Sequence, residues 1–254
     1  MRNLYDIIFY NMTFISHFRA VEEDDKAKAI KKLISDSTPS FDFFLMATLA
    51  ILMATFGMLL DSPAVVIGSM LIAPILHPIL SLSLGISLSN YKIIGRSFYT
   101  LVKSIIIGVG SAIVATLFFS NGEYVTGEII SRTEPDLLFF AVAVVSGIAV
   151  SYALVKPNLS ETLPGIAVSV ALIPPLSVVG IGIAKVNWEV VAGASVLFLI
   201  NVIGIVFASM VSFSLMNVSG KHKIAQGAIK IEDQKMKKEE EKMEKLITKD
   251  SLDI

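Results

Sequence analysis

The chain has 254 residues, of which 54% are hydrophobic and 17% charged, with a mean hydropathy of +0.73 and a formal net charge of −1. This charge argues against a nucleic-acid partner, and the absence of cysteine excludes disulfides, thiolate metal sites and cysteine nucleophiles. The three histidines lie far apart in sequence, so we predict neither a metal site nor a cofactor.

Residues 1–41 are predicted to form a cytoplasmic N-terminal arm. Residues 4–18 have apolar side chains at helical spacing, which indicates an amphipathic segment on the membrane surface. Residues 22–34 predict a charged helix that ends before Pro39. Its apolar positions are expected to contact the bilayer or a neighbouring subunit.

Six apolar segments follow the arm. A helix needs about 20 mostly apolar residues to cross a bilayer. Only Lys103 is charged within the six segments, and Glu161 lies just ahead of the fifth. We therefore predict an all-α, polytopic membrane protein with six transmembrane helices embedded in the lipid bilayer. These helices cover residues 43–60, 63–88, 98–119, 137–155, 162–184 and 190–216.

The second and fifth segments share a motif at an offset of one hundred residues. Residues 69–76 read SMLIAPIL and residues 169–176 read SVALIPPL, and Asp61 and Glu161 precede them at the same offset. Because each half has three crossings, the second half is inverted relative to the first. We predict two inverted three-helix repeats, residues 42–119 and 137–216, joined by an external loop at residues 120–136.

Proline interrupts both repeated segments. Pro74 and Pro78 lie in the second segment, and Pro174 and Pro175 lie in the fifth. Proline lacks an N–H and clashes with the preceding turn, so the second and fifth helices are predicted to break. Matched breaks in two repeats indicate a midplane site where exposed backbone and helix ends bind an ion or small solute. The alternative is plain kinking, since proline is common in membrane helices.

Polar side chains beside the two breaks are further candidate ligands. A serine there can instead bond to its own helix backbone, and Asn201 can instead hold two helices together. Imidazole changes charge near physiological pH, so His77 is a candidate for coupling a proton, unless it lies at a wide cytoplasmic mouth. The predicted binding residues are Ser69, Pro74, His77, Pro78, Ser169, Pro174, Pro175, Ser177 and Asn201, while Asp61 and Glu161 are predicted at the water interface, with gating or ion attraction as the alternative.

Basic residues in short loops predict the orientation. Lys92 and Arg96 follow the second helix and Lys221 follows the sixth, whereas the 120–136 loop is mostly acidic. We therefore predict a multi-pass protein of the cell membrane with both termini in the cytoplasm. Residues 217–254 are predicted to form a charged, helical cytoplasmic tail, in which the stretch from Lys230 to Lys249 alternates Glu and Lys and predicts a solvated helix.

Small residues recur every four positions in the third, fourth and sixth helices, and such faces let helices approach closely. The pattern is equally compatible with packing inside the chain and packing between protomers. We predict a homo-oligomer that forms through these faces. The small residues are Ser104, Gly108, Ala112 and Thr116, then Ala143, Gly147 and Ser151, then Gly204, Ala208 and Ser212.

The two proline motifs resemble those of the family called domain of unknown function 389. The motifs are DSPAVVIGSMLIAP at residues 61–74 and ALIPPLSVVG at residues 171–180, and the resemblance covers residues 38–216. It implies a prokaryotic-type integral membrane protein and no established substrate. Asn201 resembles a family feature, whereas Ser69, His77, Ser169 and Ser177 replace the family's small residues. Because of this departure, the backbone groups at the prolines are stronger candidates for binding a solute than these four side chains.

The leading hypothesis is a transporter or channel-like protein that binds an ion or small solute at its broken helices. The alternative is a non-transporting oligomeric membrane scaffold or sensor that recruits a cytoplasmic partner through its charged tail. No catalytic motif or phosphate-binding loop is visible, so we do not expect an enzyme.

Overall fold

The computed structural model describes residues 21–120, 122, 124–156, 158–159 and 172–250, without the side chains of residues 219 and 243–250. No strand occurs among these residues. The α-helices of this part of the chain are α1 Glu23–Asp36, α2 Phe41–Leu59, α3 Pro63–Ile72, α4 Leu76–Ser87, α5 Tyr91–Phe119, α6 Gly127–Ile130, α7 Leu137–Val155, α8 Ile173–Ala184, α9 Trp188–Leu215 and α10 His222–Asp250.

The apolar helices confirm an all-helical chain with several candidate membrane spans. Within the described residues, α2, α5, α7 and α9 are long and apolar enough to cross a membrane. Helices α3 and α4 together make a fifth candidate, bent by 49° at their junction. Helix α8 is a shorter apolar helix, because the first part of the predicted span 162–184 lies outside the described residues.

Each of the four long spans begins at a polar residue that caps it. The side chains of Ser40, Asn90, Asp136 and Asn187 each accept a hydrogen bond from a backbone N–H in the first turn of the helix that follows. These N–H groups have no partner within their own helix, so a side-chain acceptor fixes where the helix begins. Polar residues between long apolar segments therefore set the span boundaries.

The segment between α5 and α7 lies at one end of the helix bundle, which we name the loop end. Thr126 Oγ1 donates to the carbonyl of Met58 at the end of α2, at 2.8 Å. Lys185 Nζ, just after α8, donates to the carbonyl of Ser120, just after α5, also at 2.8 Å. Helices α2, α5 and α8 therefore all end here, and α3, α7 and α9 begin here.

Helix α1, the first part of α10 and the start of α5 lie at the opposite end, which we name the tail end. Asp233 of α10 lies 3.1 Å from both Lys92 and Arg96 of α5. Leu154 of α7 and Phe213 of α9 line a small cavity beneath α1. Helices α7 and α9 therefore run from the loop end to the tail end, opposite to α2 and α5.

The interior is organised around α5 and α9. Helix α4 packs against both of them, and so does α8, which also packs against α2. The side chains that face this interior are small: Gly180 of α8 lies so close to α5 that a Cβ there would come within 2.4 Å of the Ala112 Cβ. Close approach of this kind lets two half-length helices fit between two long ones.

The small-residue faces pack within the chain. Gly108 of α5 meets Ile51 of α2, and Gly147 of α7 meets Ala208 of α9. Ser104, Ala112, Thr116 and Ser212 are also buried inside the bundle. These faces are consequently occupied, and the homo-oligomer stays a prediction that needs another surface.

Helix α1 differs from its expected position. Its apolar side chains were expected to contact the bilayer or another subunit, but Ile30, Leu33 and Ile34 are at most 2% exposed and pack within the chain. They contact α4, α7 and α10. The first turns of α10 share this contact, since Ala225 and Ile229 are buried too. The packed part of α10 thus precedes Lys230, where the predicted solvated stretch begins, and no described side chain of residues 230–242 is buried.

A carboxylate between two ammonium groups fastens α1 at the tail end. Lys221 and Lys26 both contact the carboxylate of Glu23. Lys221 in the first place, and then Lys26, lower the pKa of Glu23 from its ordinary value of 4.5 to about 2. A lowered carboxyl pKa means that the attachment is complete above about pH 4.5 and is lost only as the pH falls towards about 2.

We expect Asp233→Asn to loosen α10. Arg96 is only 12% exposed, and its partner Asp233 is 36% exposed, so the substitution removes the carboxylate from a largely buried guanidinium. Amide hydrogen exchange in the first half of α10 should quicken about tenfold, equivalent to about 1.4 kcal/mol of local opening. Glu239→Gln, on an exposed residue further along α10, is the control and should leave the exchange unchanged.

Candidate functional site

The first proline break lies between α3 and α4. Ala73 has an extended backbone, with φ −84° and ψ 122°, because a residue that precedes proline avoids the helical region. Helix α3 therefore ends at Ile72. The chain restarts as α4 when the N–H of His77 donates to the carbonyl of Pro74 at 3.1 Å. Pro78 then occupies the first turn of α4, where a missing N–H costs no helical hydrogen bond.

The second break is described on one side. Pro174 and Pro175 stand in the first turn of α8, the position that tolerates proline best. Ser169 and Glu161, two of the predicted site residues, lie outside the described residues. Proline thus begins α8, as Pro78 lies in the beginning of α4, at the matching place in the other half of the chain.

The two breaks meet inside the bundle. They line one cavity of about 10 Å³, roughly the space that a single water molecule requires. The side chains that line it are all apolar: Met70, Ala73, Ile75, Leu76, Leu172 and Ile173. A polar ligand at this place would therefore be held chiefly by backbone groups.

Backbone groups with unused hydrogen-bonding capacity are present at the first break. The N–H of Ile75 and the carbonyl of Ala73 make no hydrogen bond with other described residues. Ile75 is 1% exposed, so its amide is removed from solvent. Buried backbone groups normally have partners, and unpaired ones cost free energy. The break therefore offers one donor and one acceptor to a small polar ligand.

The two described serines of the predicted site use their hydroxyl groups for backbone contacts. Ser69 Oγ donates to the carbonyl of Val66 in its own helix at 2.6 Å. Ser177 Oγ lies 3.2 Å from the carbonyl of Ile173 in its own helix and 3.3 Å from that of Ile51 in α2. Both serines are completely buried, and neither lines the cavity between the breaks.

His77 lies beside the first break and faces α1. Its Nδ1 is 3.3 Å from the carbonyl of Pro74, and its Nε2 is 3.7 Å from Oδ2 of Asp36 at the end of α1. Both side chains of this pair are about one-third exposed. Sequence reasoning did not single out Asp36, because its proximity to the break arises from the packing of α1 on α4.

Of the two remaining described residues, Asp61 lies apart from the first break. Asp61 stands at the loop end, where its Oδ1 accepts a hydrogen bond from the N–H of Glu128 at 2.9 Å. Its backbone is left-handed, with φ 51°, in the tight turn between α2 and α3. Asn201 is 2% exposed in the middle of α9. The structure thus brings residues that flank Pro74 and Pro174 to one cavity and places Asp61 at one end of the bundle.

The described residues form an all-helical structure whose several apolar helices are compatible with a multi-pass membrane protein, and one candidate span is bent at the proline break between α3 and α4. The family model described as "Domain of unknown function (DUF389)" matches residues 70–207, and the chain belongs to this family. An uncharacterized protein of Methanocaldococcus jannaschii is 30% identical over 229 residues, which are 85% of this chain and 69% of that relative. No solved structure matches the chain.

Proposed function

We propose that this chain is a transporter or channel-like protein that binds an ion or small solute where its two proline breaks meet. The observation that carries the proposal is the shared cavity, which residues from both breaks line although they are about one hundred residues apart. Broken helices whose ends converge in a membrane-embedded interior are the usual means by which secondary transporters bind solutes without charged side chains.

The directions of the helices support an inverted repeat. Helices α2 and α5 run towards the loop end, and their counterparts α7 and α9 run towards the tail end. Helix α4 leads from the first break to the tail end, whereas α8 leads from the second break to the loop end. Each break is therefore the start of a half-helix that points to a different end of the bundle.

The small cavity corresponds to a closed conformation in this proposal. About 10 Å³ is too little for a hydrated ion, so a solute must enter through a rearrangement of the helices. Non-helical backbone at membrane depth is tolerated where it is covered by protein or lines an aqueous cavity. Exposure of the breaks to one side at a time would satisfy both conditions during a transport cycle.

We assign the tail end to the cytoplasm. Lys92, Arg96, Lys156 and Lys221 lie there, and Lys103 of α5 sits over the ring of Phe44 at 4.6 Å from its centre. An excess of basic residues marks the cytoplasmic side of membrane proteins. Both termini of this multi-pass chain are then cytoplasmic.

Thiol labelling tests the proposal, and the absence of cysteine makes the natural chain a clean background. Single cysteines replace Ala73 and Ile173, and a charged, membrane-impermeant thiosulfonate is added to one side of sealed vesicles. We expect both positions to react more slowly than loop positions but measurably, because a transporter must expose its site. Arg132→Cys and Lys223→Cys are the controls for the loop end and the tail end.

A non-transporting scaffold or sensor is the second candidate. The apolar lining of the cavity and the backbone-bonded serines favour it, since a kinked helix that only shapes the bundle needs no polar site. A scaffold would keep positions 73 and 173 unreactive from both sides, while positions 132 and 223 react from opposite sides. That pattern would contradict the transport proposal.

A further inference from the structure

A second internal similarity lies ahead of the first helix of each half. Residues 33–44 read LISDSTPSFDFF, and residues 129–140 read IISRTEPDLLFF. At this offset of 96 residues five of the twelve positions are identical, namely Ile34, Ser35, Pro39, Phe43 and Phe44. The first stretch is the end of α1 with the start of α2, and the second is the end of α6 with the start of α7.

The two stretches also have the same local structure. Leu33 and its counterpart Ile129 are both 0% exposed. Ser37 Oγ donates to the carbonyl of Ile34 at 3.1 Å, and Thr133 Oγ1 donates to the carbonyl of Ile130 at 2.8 Å. The same hydroxyl contact thus closes both helices at equivalent positions. Helices α1 and α6 are therefore counterparts in the repeat.

These counterparts lie at opposite ends of the bundle, each on one half-helix. Helix α1 packs at the tail end against α4, where Leu33 and Leu84 line the same small cavity. Helix α6 lies at the loop end, where Ile129 belongs to an apolar cluster with Val178 and Ile181 of α8. Helix α1 therefore packs on α4, while the short helix α6 contacts α2 and shares an apolar cluster with α8.

The covering helices are held by few polar contacts. Asp36 and His77 connect α1 with the start of α4, next to the first break. Two hydrogen bonds at the loop end hold α6, from Thr126 to the Met58 carbonyl and from the Glu128 N–H to Asp61. The contact of Glu23 with Lys221 also holds α1. Because Leu33 and Ile129 are fully buried, the closed position of each helix is the stable one, and a helix leaves it only when interactions formed elsewhere offset the lost contacts.

We propose that α1 and α6 are a pair of gates, which close the path from the proline breaks to the tail end and to the loop end respectively. The inference rests on the proposed transport function. A solute reaches the breaks from the tail end when α1 moves off α4, and from the loop end when α6 moves off α8. The duplication of the spanning helices thus extends to the elements that cover them.

One matched pair of substitutions tests the gates separately. Leu33→Glu and Ile129→Glu each place a carboxylate in an apolar seat, which disfavours the closed position of that helix. In the Ala73→Cys and Ile173→Cys backgrounds, we expect Leu33→Glu to raise the rate of thiosulfonate labelling at least tenfold from the tail end only. Ile129→Glu should do so from the loop end only. Lys32→Glu and Ile130→Glu, on exposed neighbours, are the controls.

A disulfide lock serves as the second measurement if a glutamate variant does not fold. Asp36→Cys with His77→Cys, bridged through disulfides to a short bifunctional thiosulfonate, should hold α1 closed, and Asp61→Cys with Gly127→Cys, bridged in the same way, should hold α6 closed. We expect each lock to suppress labelling of the break from its own end, and reduction to restore it.

The outcomes separate the two proposals. The gates would be overturned if each glutamate substitution changed the labelling rate equally from both ends. They would also be overturned if neither the substitutions nor the locks changed the labelling of positions 73 and 173. The transport site would stand in both cases. A different result would overturn the transport site together with its gates. In that result, positions 73 and 173 stay unreactive from both ends even when a lost cross-link between positions 36 and 77 shows that α1 has moved.

Discussion

Gly180→Val should destabilise the folded protein by about 3 kcal/mol, the upper part of the range for overpacked interiors. A Cβ at this position would lie 2.4 Å from the Cβ of Ala112 and 3.0 Å from the carbonyl oxygen of Val109. The second of these is backbone of α5 and cannot rotate away. Helix α8 would have to separate from α5, and its packing between α5 and α9 would be lost.

Thermal unfolding in detergent measures this effect. Gly110→Val in α5 is the matched control, because a Cβ at Gly110 meets nothing within 4 Å. Both substitutions place the same side chain at a helical glycine, so their difference isolates the packing. Equal unfolding temperatures for the two variants would show that α8 does not pack on α5 as described.

The double variant Ala73→Cys with Leu172→Cys should be cross-linked in most molecules by a short, membrane-permeant bifunctional thiol reagent. Both residues line the cavity between the breaks, and its small volume keeps them close although ninety-nine positions separate them in sequence. Cross-linking of the two breaks would also prevent their separation. A transporter should lose activity, and a static scaffold should be unaffected.

Mass analysis of fragments from the two halves measures the yield of this cross-link. Ala73→Cys with Arg132→Cys is the control, because Arg132 lies at the loop end beside Glu128. Its yield should be low. A similar yield for both pairs would mean that the breaks do not meet, which removes the observation on which the transport site depends.

The sequence predicted the spanning helices well because their boundaries depend on local chemistry. Apolar length and a polar cap are sufficient to place α2, α7 and α9 within a few residues of their observed ends. The first break was equally predictable, since the loss of an N–H at Pro74 acts on the turn around it. Long uncharged segments in a chain of this composition predicted a helical membrane protein, and the several long apolar helices are compatible with that prediction.

The hydrogen-bond partners of the two serines and the packing of α1 were less predictable from sequence. Ser69 and Ser177 are small enough to bond to nearby carbonyls, and only the packing of α8 on α2 decides that Ser177 also contacts Ile51. The charges of α1 suggested a surface helix, yet Lys26 is 3% exposed because Glu23 satisfies its ammonium group. Glu23 itself is 65% exposed, so Lys26 lies in the interior with its charge directed to a partner at the surface, an arrangement that depends on the tertiary structure.

The similarity between α1 and α6 was present in the sequence but needed a different offset. The proline motifs align at one hundred residues, whereas the stretches that begin at Leu33 and Ile129 align at ninety-six. Equal burial of Leu33 and Ile129 then makes the relation visible in three dimensions. A change of four residues within one repeat is about one helical turn, and it hides the similarity from a search at one fixed spacing.

The interleaving of α4 and α8 between α5 and α9 has a consequence for biosynthesis. Helix α4 leaves the ribosome early, but one of the two long helices that enclose it is α9, the final span to be made. The nascent first half therefore holds a half-length helix and an open backbone break whose partners do not yet exist. Until residues 188–215 are inserted, lipid or the insertion machinery has to shield that break, so truncation within α9 should trap an assembly intermediate rather than a working half.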